Sequence, residues 1–498
     1  MDIAQSSTWL SDKWEMLCDQ VWEPLTRVAW WDWLGFWQQA VLNWIDPRFL
    51  VCFFLPLVPI LWLFPRRHFR LGIVLTSFVF LAYVFGFLFV PIWFGVCAAF
   101  YWLSERFAIE AKRTDVWQWG PPLAAIGIIS FGYVLFLGLC RIVVPKEVDA
   151  WLFEHTPWLY PLGARPFAWE AAHLRYEGGL VANSPRLMDA VFFSPQTCGL
   201  VILSIRMMHY FSELKRDTIP KERRSFLNFL AFNSFAPVLP QGPIERFAEF
   251  DERAERCFER RKARDMAAGL YRIVIGLVKN LVCAVYFAPP VMELVEKYKN
   301  KPDLVLSYTT LFILMHFATW ALYLYFSGYC DVAIGIARLL GYRATENFRR
   351  PWLACSLTDM WRRWHITFSF ILRDYVFLPV IRRRWSLFPS LILTFVVCGL
   401  FHNLNPSFIL AGFVMGVMVW IQQKWSRYLR DLNRHPDQWA AKVRRILLKL
   451  QPLPRICAWV LTMNAFAAVI LIAFAGPLVI RGLWQTIQQL MGWSQGAG

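Results

Sequence analysis

The stretch LFPSLILTFVVCGLFHN, residues 387–403, is apolar on every face until it ends in a histidine and an asparagine. It shows no alternation of apolar and polar residues, so a barrel strand does not fit it. A helix does, and crossing ~30 Å of hydrocarbon takes ~20 residues of this kind. Similar runs cover 49–65, 71–104 (long enough for two passes), 121–144, 187–211, 267–292, 303–326, 407–421 and 456–480. With 387–401 they give about nine to eleven spans. The expected fold is therefore all-α, a polytopic integral membrane protein.

Composition agrees with that reading. The 498 residues are 57% hydrophobic and 17% aromatic, with a mean hydropathy of +0.39. Length alone suggests about three domains, but long apolar runs override that prior. The start, MDIAQSSTW, lacks a basic n-region, so a cleavable signal peptide is not expected. Before the first span lie Trp9, Trp14, Trp22, Trp30, Trp31, Trp33, Trp37 and Trp44. Rings mixed with charges suit helices lying in the headgroup layer, where Trp is favoured. The net charge of +17 sits in short clusters such as RRHFR (66–70), KRDTIPKERR (215–224), ERRKARD (259–265), RRRW (382–385) and the region 424–449. Such clusters mark cytoplasmic loops and contact with anionic lipid, so the lipid bilayer and no nucleic acid is the expected partner. Eleven cysteines stand singly, with no C-x-x-C pair, and read as small buried hydrophobes.

Two segments, 225–265 and 327–385, mix apolar residues, glycines, prolines and charges and make no simple span. Irregular backbone at membrane depth needs burial in protein or a water-filled cavity, so both are candidate re-entrant or funnel-lining elements. Within the second, DMWRRWHITFSFILRDY (359–375) crowds two tryptophans, two arginines and a histidine into Trp361–His365. On a continuous helix Thr358, Arg362, His365, Ser369 and Arg373 fall at steps of 4, 3, 4 and 4 and form one polar stripe. Charge in hydrocarbon costs ~3 kcal/mol or more, so the stripe faces a cavity or the interface. Read alone, an interfacial helix with snorkelling arginines fits as well as a cavity wall.

Three further constellations stand out. In CGLFHNLNPSF (398–408), His402 closes an apolar span beside Asn403 and Asn405. An imidazole suits proton transfer near neutral pH, although a lone histidine at a span end is also a common headgroup-level residue. In APVLPQGPIERFAEF (236–250), Pro237, Pro240, Gly242 and Pro243 forbid a regular helix, giving a loop or a re-entrant hairpin that ends at Glu245 and Arg246. In YLYFSGYCDVAIGIARLLGYRATENFRRPWL (323–353), Ser327, Gly328 and Asp331 end a long apolar run. Asp331 there needs a partner, and Arg349 and Arg350 are the candidates. His316 reads as a hydrogen-bonded packing residue and His209 as interfacial. No two histidines share metal-ligand spacing on one helix, so no metal is expected.

These segments together resemble the membrane-bound O-acyltransferase family, and most of all its bacterial branch of alginate O-acetylation and teichoic acid D-alanyl transfer proteins. The matching strings are LPQGPIERF (239–247), FSGYCDVAIGIARLLGY (326–342), ENFRRPW (346–352), MWRRWHITFSFILRDYVFLP (360–379) and GLFHN (399–403), in the family's order. The similarity is continuous over about 325–403 and patchier over 200–325. Where the family ends its second motif in tryptophan, histidine and glycine, this chain has Phe401, His402 and Asn403.

The resemblance implies a funnel-like helical bundle in which a cytoplasmic donor and an extracytoplasmic acceptor meet. It makes His402 the catalytic histidine and His365 a second functional one. Trp361, Arg362, Ser369, Arg373, Asp331 and Asn403 are the accompanying candidates for substrate binding, the arginines engaging phosphates of the donor. The implied domains are a Trp-rich interfacial segment (1–48), N-terminal spans with an extracytoplasmic loop near 142–186 (49–211), the catalytic core (212–425), and a basic surface segment with a final span (426–498). The implied reaction moves an acyl group, acetyl in the first instance, from acyl-CoA or an acyl carrier protein thioester towards hydroxyls of an extracytoplasmic polysaccharide or partner protein. No bound cofactor is implied. The partners would be an extracytoplasmic acyltransferase or esterase-like protein and a polysaccharide synthesis complex, at a bacterial inner membrane. Two other classes compete: a non-catalytic subunit of an envelope polysaccharide complex, and a transporter, which the lack of an inverted repeat disfavours.

Overall fold

The structure, a computed structural model, describes residues 47–85, 89–111, 195–239, 241–291, 293, 308–402, 406–432, 439, 442, 445 and 453–490. Among the described residues every regular element is helical, as the apolar runs require. The expected span at 121–144, the Trp-rich segment 1–48 except its last two residues, the loop near 142–186, and Asn403 and Asn405 lie outside the described residues. Among the described residues four helices are long and apolar enough to cross a membrane, covering Ala263–Val291, Thr309–Leu339, Ser407–Asp431 and Leu453–Ala473. The chain is an all-α polytopic membrane protein.

The first apolar run does not form one span. It divides into α1 (Pro47–Phe54) and α2 (Leu57–Leu63), because Pro56 between them has no N–H to continue the ladder. The run 71–104 gives two helices as expected, α3 (Phe69–Phe85) and α4 (Phe89–Ala111). Next come α5 (Pro195–Lys215), α6 (Phe226–Ser234) and α7 (Phe247–Glu255). Ser225 starts α6 by accepting the Asn228 N–H at 3.2 Å. From Asn228 to Leu239 the chain is buried on all sides. Burial of this irregular, proline-containing backbone in protein is a condition for its lying at membrane depth, and the segment encloses Asn228, Asn233 and Ser234 with it. Around it pack Tyr210, Phe247, Phe250 and Tyr342, the Tyr210 ring lying 4.6 Å from that of Phe229 within the segment.

The two longest described pairings bracket the centre of the chain. Helix α8 (Ala263–Val282) packs along α9 (Tyr308–Leu339). A Cβ added to Gly276 would collide with the Gly328 carbonyl, and one added to Gly335 with that of Gly269. Small residues at these notches let the backbones approach closely. The apolar run and the small-residue stretch that follows Asp331 form one continuous helix. Asp331 is accommodated inside the helix pair by Arg272, 2.6 Å away, and by Lys279, both from α8. Arg349 and Arg350, the partners expected from sequence, are exposed elsewhere.

Three short helices follow, α10 (Leu357–Trp361), α11 (Ile366–Leu372) and α12 (Leu378–Arg382). Then α13 (Leu387–His402) packs along α14 (Pro406–Leu432), and α15 (Leu453–Leu490) lies against α14. Gly399 and Gly412 make the second notch, since a Cβ on either would strike the carbonyl of Phe408 or Phe395. Thus α13 is held close to α14 along its last turn, and His402 is its final residue.

Candidate active site

The polar stripe expected over 358–373 is not one helical face. The chain breaks at His365, whose φ of 44° places it in the left-handed region. A non-glycine residue there is strained by roughly 1–3 kcal/mol and persists only where its surroundings hold it. Those surroundings centre on Asn347, which is fully buried. Its backbone carbonyl accepts from Ile366 N at 2.9 Å. Its side-chain Oδ1 faces His365 Nδ1 at 3.1 Å, Thr367 N at 3.3 Å and Thr367 Oγ1 at 2.9 Å, and its Nδ2 reaches Cys330 Sγ on α9 at 3.3 Å.

This arrangement fixes a tautomer. A backbone N–H can only donate, so the atom facing Thr367 N is the amide oxygen. The His365 nitrogen sharing that oxygen therefore carries the proton, and Nε2 is the acceptor nitrogen of the neutral ring. Burial pushes His365 well below the ordinary imidazole range, with His402 adding in the same direction.

The two histidines, thirty-seven positions apart in sequence, come together (402 − 365 = 37). Their ring centroids are 6.5 Å apart. The Phe368 ring sits beside both, 5.1 Å from His365 and 5.7 Å from His402, and Phe326 of α9 stands edge-on to His365 at 4.8 Å. His402 is exposed, and among the described residues no hydrogen-bond partner reaches its ring.

The other sequence candidates scatter. Thr358 Oγ1 donates to Gln422 of α14 at 2.7 Å, and Ser369 Oγ donates to the Trp364 carbonyl at 3.2 Å. Trp361 packs on Phe395 with centroids 5.1 Å apart, its indole N–H buried without a hydrogen-bond partner. Arg362 is exposed. Arg373 pairs with Asp374 at 2.7 Å, and Asp331 is engaged with α8 as described. His316 is a packing residue as expected, Nε2 lying 3.2 Å from Asn464 Oδ1. His209, expected at the interface, is instead buried at 3% exposure because the turn after α11 covers it. No three His, Cys, Asp or Glu side chains among the described residues are grouped to hold a metal ion.

The loop 239–246 backs the histidine segment. Ile244 N donates to Thr367 Oγ1 at 3.1 Å, and Arg246 pairs with Asp374 at 2.6 Å. Burial acts to raise the Asp374 carboxyl, but hydrogen bonds from Arg373 and Arg246 outweigh it and the group is held below its usual range. Glu245, fully enclosed, is pushed up by burial against the opposing pull of Arg253, 2.9 Å away, and of Thr345 N. Asn347 is the support that sequence reasoning passed over, whereas Glu245 was noted only as the end of the proline-rich loop. Both lie inside strings that carried the resemblance, ENFRRPW and LPQGPIERF.

A family model for membrane-bound O-acyltransferases, MBOAT, matches residues 190–449, and so covers both histidines and every element that positions them. The chain belongs to this family. Among its relatives is a peptidoglycan O-acetyltransferase of Helicobacter pylori, 29% identical over 249 residues, covering 48% of this chain and 42% of that protein. A probable alginate O-acetylase, AlgI, of Azotobacter vinelandii is 27% identical over 381 residues, 74% of this chain and 66% of that one. A teichoic acid D-alanyltransferase of Bacillus subtilis is 27% identical over 249 residues, 46% of this chain and 60% of that one. The chain thus matches between two fifths and two thirds of the length of these MBOAT relatives.

Proposed function

We propose that this MBOAT chain is an O-acyltransferase that moves an acyl group, acetyl in the first instance, from a thioester donor to a hydroxyl of an envelope polysaccharide or of a partner protein. The observation that carries the reading is the meeting of His365 and His402 over Phe368, with ring centroids 6.5 Å apart. In this reading His402 is the general base. It takes the proton of the attacking hydroxyl as the oxygen adds to the thioester carbonyl. The tetrahedral oxyanion collapses, the C–S bond breaks, and the imidazolium returns the proton to the departing thiolate. His365, with Nε2 left as acceptor by Asn347, accepts from a second hydroxyl of the acceptor and so orients it, since the single proton of the attacking hydroxyl goes to His402. The basic clusters at 215–224 and 259–265 support a cytoplasmic side for that end of the bundle and delivery of the acyl group outward, across a bacterial inner membrane. Acyl-CoA or a carrier-protein thioester is the donor, and the acceptor side belongs to an extracytoplasmic partner or polymer complex.

A second assignment is favoured by one observation. Asn347 orients His365 much as the third member of a triad orients its histidine, which would make His365 the base and His402 the holder. Membranes given labelled acetyl-CoA and acceptor separate the two. His402→Ala is expected to lower acyl transfer by roughly 100- to 10,000-fold, the span of general base catalysis, with expression and insertion unchanged. Full activity in His402→Ala removes it from the chemistry, and a deeper loss in His365→Ala moves the base to that residue.

A further inference from the structure

His209 lies on α5, outside every string that identified the family, yet it is among the most enclosed polar side chains of the molecule. Its Nε2 is 3.1 Å from Glu213 Oε1, one helical turn on, with side-chain exposures of 4% and 13%. Its Nδ1 meets the Tyr375 hydroxyl in a short contact. The Glu213 carboxylate lies beside Nε2 without hydrogen-bonding it, so the bond that ties this ring to another element is the one between Nδ1 and the Tyr375 hydroxyl. Burial pushes the Tyr375 hydroxyl up to about 12, so the phenol is protonated at neutral pH. Glu213 is itself placed by Ala248 N, which donates to its other oxygen at 3.4 Å.

Tyr375 stands in the wide turn Arg373–Phe377 that continues α11, the helix opened by His365. Such π-type turns are frequent at functional sites. Asp374, its neighbour, is tied to Arg246. The helix carrying Phe368 is therefore pinned at its start by Asn347 and Ile244, and at its end by Arg246 and His209. Phe368, Ile371 and Leu372 share one buried cluster with Ile205 of α5 and Cys398 of α13, and Tyr375 packs against it. A shift of this end carries directly to the ring between the two histidines.

We propose that His209 and Tyr375 form a positioning relay that holds the far end of α11 so that Phe368 and His365 keep their places opposite His402. The proposal rests on the acyl-transfer reading for its catalytic consequence, while its structural consequence is independent of that reading. A misplacement of about 1 Å near reacting groups can cost on the order of 100-fold, and one lost anchor of four should cost less. In the full-length chain, Tyr375→Phe and His209→Leu are each expected to lower kcat about tenfold, with donor KM within about twofold. The double variant should be no slower than either single one, because both remove the same link. His209→Asn, whose Oδ1 stands where Nδ1 stood, should recover at least half of the wild-type kcat. Hydrogen exchange of peptides covering 363–380 should be faster in Tyr375→Phe and His209→Leu, and near wild type in His209→Asn. Unchanged exchange, multiplicative losses, or an Asn variant as impaired as the Leu variant overturns the relay. If the wild type transfers no acyl group, the acyl-transfer reading fails and the exchange measurements alone decide whether the anchor exists.

Discussion

The two histidines of the candidate site are held by opposite means. His365 is wired: its ring is fixed by the amide of Asn347, its backbone is strained, and the residues on either side are bonded to the same asparagine. His402 is carried: no described hydrogen bond reaches its ring, and its place follows from the close packing of α13 on α14 at Gly399. A wired ring keeps one tautomer and one direction. A carried ring keeps its location and leaves its nitrogens unengaged by the described residues, which suits the member of the pair that meets the reacting proton. The comparison makes different substitutions damaging on the two sides.

The largest effect is expected where packing alone sets position. Gly399→Val places a branched side chain against the Phe408 carbonyl, which is backbone and cannot rotate away. Overpacking of this kind costs about 1–3 kcal/mol in a core, and here relief comes only by parting the two helices. Acyl transfer should fall by at least about 100-fold, the loss expected for a reacting group moved by ~1 Å, and the thermal midpoint of the purified protein should drop with it. Wild-type turnover in this variant would mean that His402 is not placed by the helix pair.

On the wired side the effect should be smaller and more selective. Asn347→Leu leaves Thr367 N and the His365 ring without their acceptor, a penalty of about 1–3 kcal/mol for each buried group left unpaired. The hairpin still has its anchors at Ile244 and Arg246, so turnover is expected to fall roughly 10- to 100-fold rather than vanish. Asn347→Asp keeps an oxygen facing the same three donors and should be the milder of the two. Steady-state rates for the two variants side by side test the wiring. Equal losses would show that the amide oxygen is not what matters.

How much of this was legible in the sequence follows the range of the interactions. Long apolar runs gave the helices, because an all-apolar face has one solution in a membrane. The division at Pro56 has a local cause, yet the run 49–65 was expected to be one span. The partners of Asp331 were not readable, because Arg272 and Lys279 stand on another helix. The pairing of His365 with His402 came from the resemblance, and the rings do meet. The break at His365 escaped notice because no glycine or proline marks it: its left-handed backbone is imposed by Asn347, eighteen positions earlier (365 − 347 = 18). His209 was read as interfacial for the same reason, since its burial depends on Tyr375, 166 positions along the chain.

Ser369 offers the finest test of that break. On an unbroken helix its hydroxyl would belong to a polar stripe facing substrate, alongside Arg362 and Arg373. In the folded chain Ser369 Oγ instead donates to the Trp364 carbonyl at 3.2 Å, closing the turn around His365. A hydrogen bond of this kind contributes about 1 kcal/mol net, and the left-handed turn has Asn347 to hold it besides. Ser369→Ala should therefore reduce turnover by less than about fivefold, the factor equivalent to 1 kcal/mol, and leave KM for both substrates unchanged. A large rise in KM with kcat preserved would place the hydroxyl on substrate. The segment would then have to straighten during turnover, and the wiring of His365 would describe only the resting enzyme.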